Sequence, residues 1–422
     1  MPHDDPAERA SATRRALDVD RSAEAAAIAL RLMAAESPNP PGDTSAVAEA
    51  AAACITEAVP SAEVTLHQSA EGIVNVVARL RGSGPGKRVV LNGHLDTYPV
   101  GERGAWTADP AGEVRGGRLY GRGAADMKGG IAASIVALAG LAAVADAWPG
   151  EVVLTLAGDE ESMGPLGTQW LLDAIPHATG DVAIIGDAGS PHVLRFGEKG
   201  FLWIEVRAAG RPAHGAHVHL GDNAVDRLRR ALDRLEAVLL TLPVDAPAVV
   251  TQAIARSRPI SEPLAGAGEA DTLARVTVNL GRIEGGTSPN LVPDSARAAL
   301  DIRLPVGVMA EAVEGAVRAA LDEPGLSFTV MRRFGPNHTD PEHPLVRLCT
   351  AAAAEVLGAP IAVNMRVGGS DARWFRMAGI PTVVYGPTPH GMGGPDEYVE
   401  IAELGQVARV HALAAFDVLR TA

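Results

Sequence analysis

Three short apolar runs, each ending on ionisable residues, stand out in the hydrophobic pattern. Arg88-Val89-Val90-Leu91 leads to His94 and Asp96, Glu151–Ala157 leads to Gly158-Asp159-Glu160-Glu161, and Val182–Ile185 leads to Gly186-Asp187. Apolar, β-branched runs of this length bounded by turn residues read as buried strands. Helical spacing of apolar residues begins at Arg21 and stops at Ser37-Pro38-Asn39-Pro40-Pro41-Gly42; it resumes from Asp43 or Thr44 to Val59, and again in the Ala-rich run from Ile131 to Val144. Strands at Glu63–His67 and Ile73–Leu80 complete an α/β pattern with a mixed, mostly parallel sheet flanked by helices. Residues 1–20 read as a loosely ordered or helical arm.

Near Gly197 the pattern changes. A strand over Phe201–Ala208, an amphipathic helix over Asn223–Leu240, strands over Arg275–Gly281 and Arg297–Leu304, a helix over Met309–Leu321 and a strand over Leu326–Met331 give the order β-α-β-β-α-β. That is the ferredoxin-like order, and it predicts an inserted α+β lid or dimerisation domain at 197–334 between two parts of a catalytic domain, 1–196 and 335–422. A helix over Pro344–Leu357, the turn Gly368-Gly369-Ser370-Asp371 and a strand over Pro381–Tyr385 belong to the second part.

Bulk properties narrow the function. The chain has 422 residues, a net charge of -14 and no Lys/Arg block, which argues against nucleic acid or an anionic membrane as partner and for a small molecule. Cys54 and Cys349 sit in apolar contexts, so neither a disulfide framework nor a thiolate metal site is expected, as suits a cytoplasmic protein. The acidic start lacks signal-peptide order, and Ile131–Val144 is too short to span a bilayer. A soluble protein is expected.

His94 and Asp96, spaced i, i+2 in extended chain, project to one side at a strand end, where open α/β sheets bind ligands. They form half a metal site, or else a capping Asp and a satisfied buried His. Gly121-x-Gly123-x-x-Asp126 resembles the start of a dinucleotide fingerprint, but a carboxylate in place of the third glycine would repel pyrophosphate; Asp126 either caps a helix or binds a cation. If His94, Asp96, Asp126, Glu160, Glu161 and Asp187 converge, the cost of packing like charges implies a compensating metal.

Ten ordered motifs carry a resemblance. They are S-P-N-P-P-G-D at 37–43, G-H-L-D-T-Y-P at 93–99, G-R-G-A-A-D-M-K-G-G at 121–130, D-E-E-S at 159–162, G-E-K-G at 197–200, R-P-A-H at 211–214, G-D-N-A-V at 221–225, S-P-N-L-V-P-D at 288–294, R-L-P at 303–305 and G-G-S-D-A at 368–372. In this order the chain resembles the M20 metallopeptidase family, the aminoacylase, acetylornithine deacetylase, succinyl-diaminopimelate desuccinylase and carboxypeptidase G2 group. The resemblance implies that His94 and Asp187 bind a first metal, Asp126 bridges to a second and Glu161 binds that second metal. It implies that Asp96 holds His94 by its other ring nitrogen, that Glu160 is the general base, and that His214 and Asn290 steady the oxyanion, often across a dimer. Arg303 and Gly368-Gly369-Ser370 are then expected to hold a substrate carboxylate. His217 and His219 match no family position and read as loop residues, and Trp106, Trp203 and Trp374 as core or pocket wall.

One family ligand is absent. The family's last His falls four residues before the acid of a carboxy-terminal motif, and counting back from Glu397 gives Gly393. Either His390 swings in on a loop made pliable by Gly391, Gly393 and Gly394, or the chain holds one cation at His94, Asp126 and Asp187 with Glu161 as an optional contact. The single cation is favoured, and Mn or Zn are the candidates, with the carboxylate-rich set leaning to Mn. The expected function is a metal-dependent hydrolase of a C–N bond in a small carboxylate-bearing substrate, most simply an N-acyl amino acid or dipeptide-like amide. The alternatives are a hydrolytic deaminase of an aromatic amine such as a nitroanthranilate, and a catalytically silent binding protein. A homodimer is expected from the sheet edge and amphipathic helices of the insert.

Overall fold

The structure, a computed structural model, describes residues 6–421. The chain divides into two compact units, one formed by residues 1–196, 339–364 and 370–422, the other by residues 197–338 and 365–369.

The first unit is built on a mixed sheet in the order Glu63–Ala70, Ile73–Arg81, Glu151–Ala157, Arg88–His94, Val182–Ile185, Thr382–Val384, Val193–Glu198. The four strands from Glu151–Ala157 to Thr382–Val384 are mutually parallel, and the remaining pairings are antiparallel. Val89, Val90, Leu91, Val152, Val153, Leu154, Ala183 and Ile184 are buried, as parallel strands covered on both faces require. The register pairs His94 with Ala157 and Asn92 with Ile185, so three chains leave the sheet at nearly one level. That common edge delivers the acidic turns together.

The helix Gly129–Ala142 packs against Ile401–Arg420 and Ser22–Ala34. The stretch Ala124–Ala142 is long and apolar enough to cross a membrane, but 89% of its apolar window is buried in the protein, so it is a core helix. Its first turn approaches the sheet closely: a Cβ at Gly130 would stand 1.8 Å from the Gly186 carbonyl oxygen. The amino-terminal arm is the helix Pro6–Leu17, pinned by Arg14 to Asp417 at 2.9 Å; residues 1–5 of the expected arm lie outside the described residues. Cys54 and Cys349 are both free and buried.

The second unit holds an antiparallel sheet in the order Thr277–Gly285, Ser295–Leu304, Gly200–Ala209, Leu326–Phe334. Its two amphipathic helices, Ala224–Leu240 and Ala310–Ala320, bury Leu228, Leu235, Val313 and Val317 against Leu202, Ile204, Leu300 and Ile302. This is the ferredoxin-like order of strands and helices. Asn223 caps the first helix, accepting from Asp226 N at 3.0 Å. Two further helices, Ala248–Ala265 and Glu269–Leu273, were not legible: Pro259 and Pro263 lie inside the first, and proline is read as a breaker.

Candidate metal centre

The His94 ring is fixed from both sides. Nδ1 lies 2.9 Å from the Asp96 carbonyl oxygen, which can only accept, so Nδ1 carries the proton; Nε2 lies 3.0 Å from Asp126 Oδ1. Burial alone would favour the neutral ring, but the carboxylates of Asp126 and Asp96 beside it outweigh that and hold the imidazole well above its ordinary value. With Nδ1 committed to the Asp96 carbonyl, Nε2 is the atom a cation would take, displacing the proton shared with Asp126.

Asp126 sits in the turn Ala124–Lys128 that precedes the core helix. Glu397 shapes that turn by accepting from the backbone N–H groups of Ala125 at 3.0 Å and Asp126 at 3.3 Å. Arg122 pairs with Glu397, donates to the carbonyls of Gly393 and Gly394 at 3.1 Å each, and lies over the Trp106 ring at 5.2 Å. These two charged residues, 275 positions apart, tie the carboxy-terminal loop to Asp126; the sequence named Glu397 only as a counting mark.

Glu161 completes the cluster. Ligand atoms of His94, Asp126 and Glu161 all lie within 4.8 Å of one another, the one such group found among the described residues. Glu161 Oε1 is buried without a hydrogen-bond partner, and burial together with Asp126 and Glu160 pushes this carboxyl far above the usual range. An orphaned buried oxygen beside a second carboxylate and an imidazole nitrogen fits a divalent cation.

Asp96 acts differently from the expectation. Its carboxylate stands 3.6 Å from His94 Nδ1, whose hydrogen bond goes to the Asp96 backbone instead. The carboxylate accepts from Glu160 N at 3.0 and 3.1 Å, Glu161 N at 2.9 Å and Asn39 Nδ2 at 2.9 Å. It therefore holds the turn that carries both glutamates. The reason is local: the strand pairing ends at His94 and Ala157, which brings the next turn of each strand face to face.

Glu160 Oε1 accepts from Arg373 Nη1 at 2.9 Å, and the same nitrogen donates to the Ser370 carbonyl at 2.8 Å. Arg373 is 1% exposed. Beside it, Asp371 takes a hydrogen bond from Thr168 Oγ1 at 2.8 Å, and burial with the neighbouring Glu160 pushes it up to about 7. Sequence reasoning stopped at Gly368-Gly369-Ser370 and missed Arg373, although the motif runs on into Asp371-Ala372-Arg373. Ser370 is fully buried and presents its carbonyl to Arg373, and its hydroxyl accepts from Ala372 N at 3.3 Å.

The remaining candidates are placed as follows. Asp187 is 3% exposed at the end of its strand, but its carboxylate is outside the group of three, so the cluster includes Glu161 where the single-cation expectation had Asp187. His390 is held away from that group by paired backbone hydrogen bonds with Tyr398, at 3.2 and 3.0 Å, and by stacking on the Tyr398 ring at 4.4 Å. In the second unit, His214 accepts from Ala216 N at 3.1 Å, and Gly215 N donates to the Asn290 carbonyl at 2.7 Å, so these two candidates are neighbours. His217 and His219 lie in the short helix Gly215–Leu220. The Arg303 guanidinium, expected to meet a substrate carboxylate, is engaged by Asp301 at 2.9 Å, two residues earlier on the same strand face.

The profile of peptidase family M20/M25/M40 matches residues 90–417. The succinyl-diaminopimelate desuccinylase of Rhodospirillum centenum is 31% identical over 349 residues, covering 81% of this chain and 83% of that protein. The enzyme of the same name from Ruegeria pomeroyi is 30% identical over 353 residues, covering 81% and 86%. Among solved structures, an M20 family metallo-carboxypeptidase from Sulfolobus solfataricus superposes with a TM-score of 0.77 at 18% identity, covering 96% of this chain and 100% of that one. A tripeptidase from Staphylococcus aureus gives 0.74 at 19% identity, covering 95% and 100%. At such identities the structures speak for the fold, while the profile and the desuccinylases speak for descent. They give no support to the ring deaminase or the silent binder. The chain belongs to peptidase family M20/M25/M40 and is a metallohydrolase acting on amide or peptide C–N bonds.

Proposed function

We propose that the chain hydrolyses the amide bond of a small N-acyl amino acid or dipeptide-like substrate bearing a carboxylate, with Glu160 as general base and one divalent cation, Mn or Zn, on His94, Asp126 and Glu161. The name shared by the two desuccinylase relatives supports N-succinyl amino acids as the first substrates to try. The observation that carries the reading is the pairing of functions on adjacent residues: Glu161 offers an orphaned buried oxygen to a cation, while Glu160 is held by Arg373.

A bound divalent cation would lower the pKa of a water and polarise the scissile carbonyl. His94 orients Nε2 through its Nδ1 hydrogen bond, and Asp96 fixes the turn from which both glutamates project. Arg373 restrains one oxygen of Glu160; the other remains to take a proton from the attacking water and deliver it to the departing nitrogen.

The test is amine release by the full chain loaded with Mn or Zn, on a panel of N-succinyl, N-acetyl and dipeptide substrates. Glu160→Ala should lose about 10²- to 10⁴-fold in turnover, the usual contribution of a general base, while retaining bound metal by elemental analysis. Undiminished turnover in that variant would remove Glu160 from the role. Ammonia release from aryl amines without amide cleavage would overturn the reaction class.

A further inference from the structure

Behind Asp126 lies a buried ion pair to which the proposed chemistry gives no task. Asp126 Oδ1 faces His94 Nε2 at 3.0 Å, while the N–H groups of Ala125 and Asp126 donate to Glu397 Oε1 at 3.0 and 3.3 Å. Glu397 pairs with Arg122 through Oε2, so one carboxylate oxygen serves the turn and the other serves the guanidinium. The Glu397 and Arg122 side chains are 1% and 6% exposed. A buried ion pair is weak evidence for stability, since apolar residues of similar volume commonly do as well. What this pair supplies, and apolar residues could not, is a fixed acceptor for the two N–H groups of the turn.

Glu397 is itself placed by contacts that do not involve His94, Asp126 or Glu161. Its carbonyl accepts from Gly121 N at 2.9 Å, and the next residue, Tyr398, pairs in register with Tyr120. The preceding residue, Asp396, accepts from Thr107 N and Thr107 Oγ1 at 2.8 Å each and from Ala108 N at 3.0 Å. Arg122 is anchored as well, by the carbonyls of Gly393 and Gly394 at 3.1 Å and by the Trp106 ring beneath it. The carboxy-terminal loop thus holds the ion pair, and the ion pair holds the turn that carries Asp126.

We propose that Arg122 and Glu397 are positioning residues for the cation site: Glu397 fixes the Ala125–Asp126 backbone so that the Asp126 carboxylate stands against His94 before a cation binds, and Arg122 holds Glu397 to that task. The inference rests on the cation reading above and adds the residues that preorganise one of its ligands. A ligand already in place spares the cost of ordering it on binding. Glutamine at 397 keeps the shape but cannot serve both sides. With its oxygen toward the turn, its NH2 group meets the guanidinium, another donor; reversed, the NH2 group meets the two backbone N–H groups.

The experiment titrates metal-stripped full-length protein with manganese chloride by calorimetry and follows hydrogen exchange by mass spectrometry. In metal-stripped wild type, a peptide spanning Ala125 and Asp126 should be protected to a similar degree as with manganese bound; protection that appears only with manganese would overturn the preorganisation. Glu397→Gln should bind manganese about 10- to 100-fold more weakly, the range for groups that orient metal ligands. Its exchange should rise at Ala125 and Asp126 and stay at the wild-type rate through the helix Gly129–Ala142. Wild-type affinity in folded Glu397→Gln would overturn the proposal, and so would exchange raised along the whole helix, which would make the pair a general stabiliser. Arg122→Met should show a loss of similar size, and Arg122→Met/Glu397→Gln no more than the larger single loss. Losses that multiply in the double variant would overturn the joint action of the two residues. The wild-type exchange arm decides the matter even if the variants do not fold. No manganese binding by wild type would instead refute the cation reading beneath the inference.

Discussion

Replacing Asp96 by Asn separates the two tasks this residue could have. The carboxylate is fully buried and takes bonds from Glu160 N, Glu161 N and Asn39 Nδ2. Asn keeps the shape but brings one accepting oxygen and no charge. Hydrogen bonds to a charged acceptor are worth about 1.5–3 kcal/mol against about 0.5–1.5 for neutral ones, so three weakened bonds cost the turn on the order of 3–4.5 kcal/mol. Local opening at Glu160 and Glu161 should then become roughly 10²- to 10³-fold more frequent, at about 1.4 kcal/mol per decade. Hydrogen exchange followed by mass spectrometry on a peptide spanning these two residues reads that change directly, and turnover should fall with it because Glu160 rides on the turn. If exchange at Glu160 and Glu161 stays at the wild-type rate while the His94 ring resonances shift, Asp96 serves the imidazole and the assignment made from the hydrogen bonds is wrong.

Two other substitutions test the scaffold. Gly130→Ala would ordinarily gain about 1 kcal/mol in a helix, but the new Cβ would lie 1.8 Å from the Gly186 carbonyl oxygen; overpacking of about 1–3 kcal/mol or more should win, and a melting temperature equal to or above wild type would refute the close approach. His411 is buried between Ser134 Oγ and the Tyr385 carbonyl, at 3.2 and 2.8 Å, and burial pushes it down to about 4 from 6.5. Because the folded value is depressed, the unfolded chain takes up the proton first as pH falls; stability present above pH 6.5 is lost between 6.5 and about 4, by about 3 kcal/mol in total. His411→Leu should flatten the acid limb of the unfolding curve by up to one proton over that window, and an unchanged slope would mean that His411 is protonated in the fold.

The sequence pointed to the site because its candidate residues terminate apolar strands. His94 and Glu161 of the group, and Asp187 outside it, each follow a β-branched run, and a parallel register forces such ends to one edge of the sheet. It did not disclose which carboxylates take a hydrogen-bonding load, because that depends on side-chain reach after the turns close. Asp96 illustrates this: the family resemblance assigned it to the His94 ring, whereas in the fold its carboxylate accepts from the backbone N–H groups of Glu160 and Glu161. Arg373 was hidden for a related reason. It lies in the short helix Ala372–Met377 among apolar neighbours, and only the fold brings Glu160, 213 positions away, within 2.9 Å. At Arg303, Asp301 takes Nε and Nη2 of the fork, while Nη1 stays buried without a hydrogen-bond partner.

The charges around the site bear on the proposed divalent cation. Asp96 is stabilised as a carboxylate by His94, Asn39 and the Glu160 N–H, which hold it below its ordinary value against the cost of burial. Glu160 has Arg373, and Glu397 has Arg122. Asp126 and Glu161 are left, with His94 as their neighbour and no arginine assigned to either among the described ion pairs. Two like charges in a largely buried group are unfavourable by several kcal/mol unless a cation is shared between them. Three converging protein groups and an orphaned Glu161 oxygen thus fit the divalent cation proposed above.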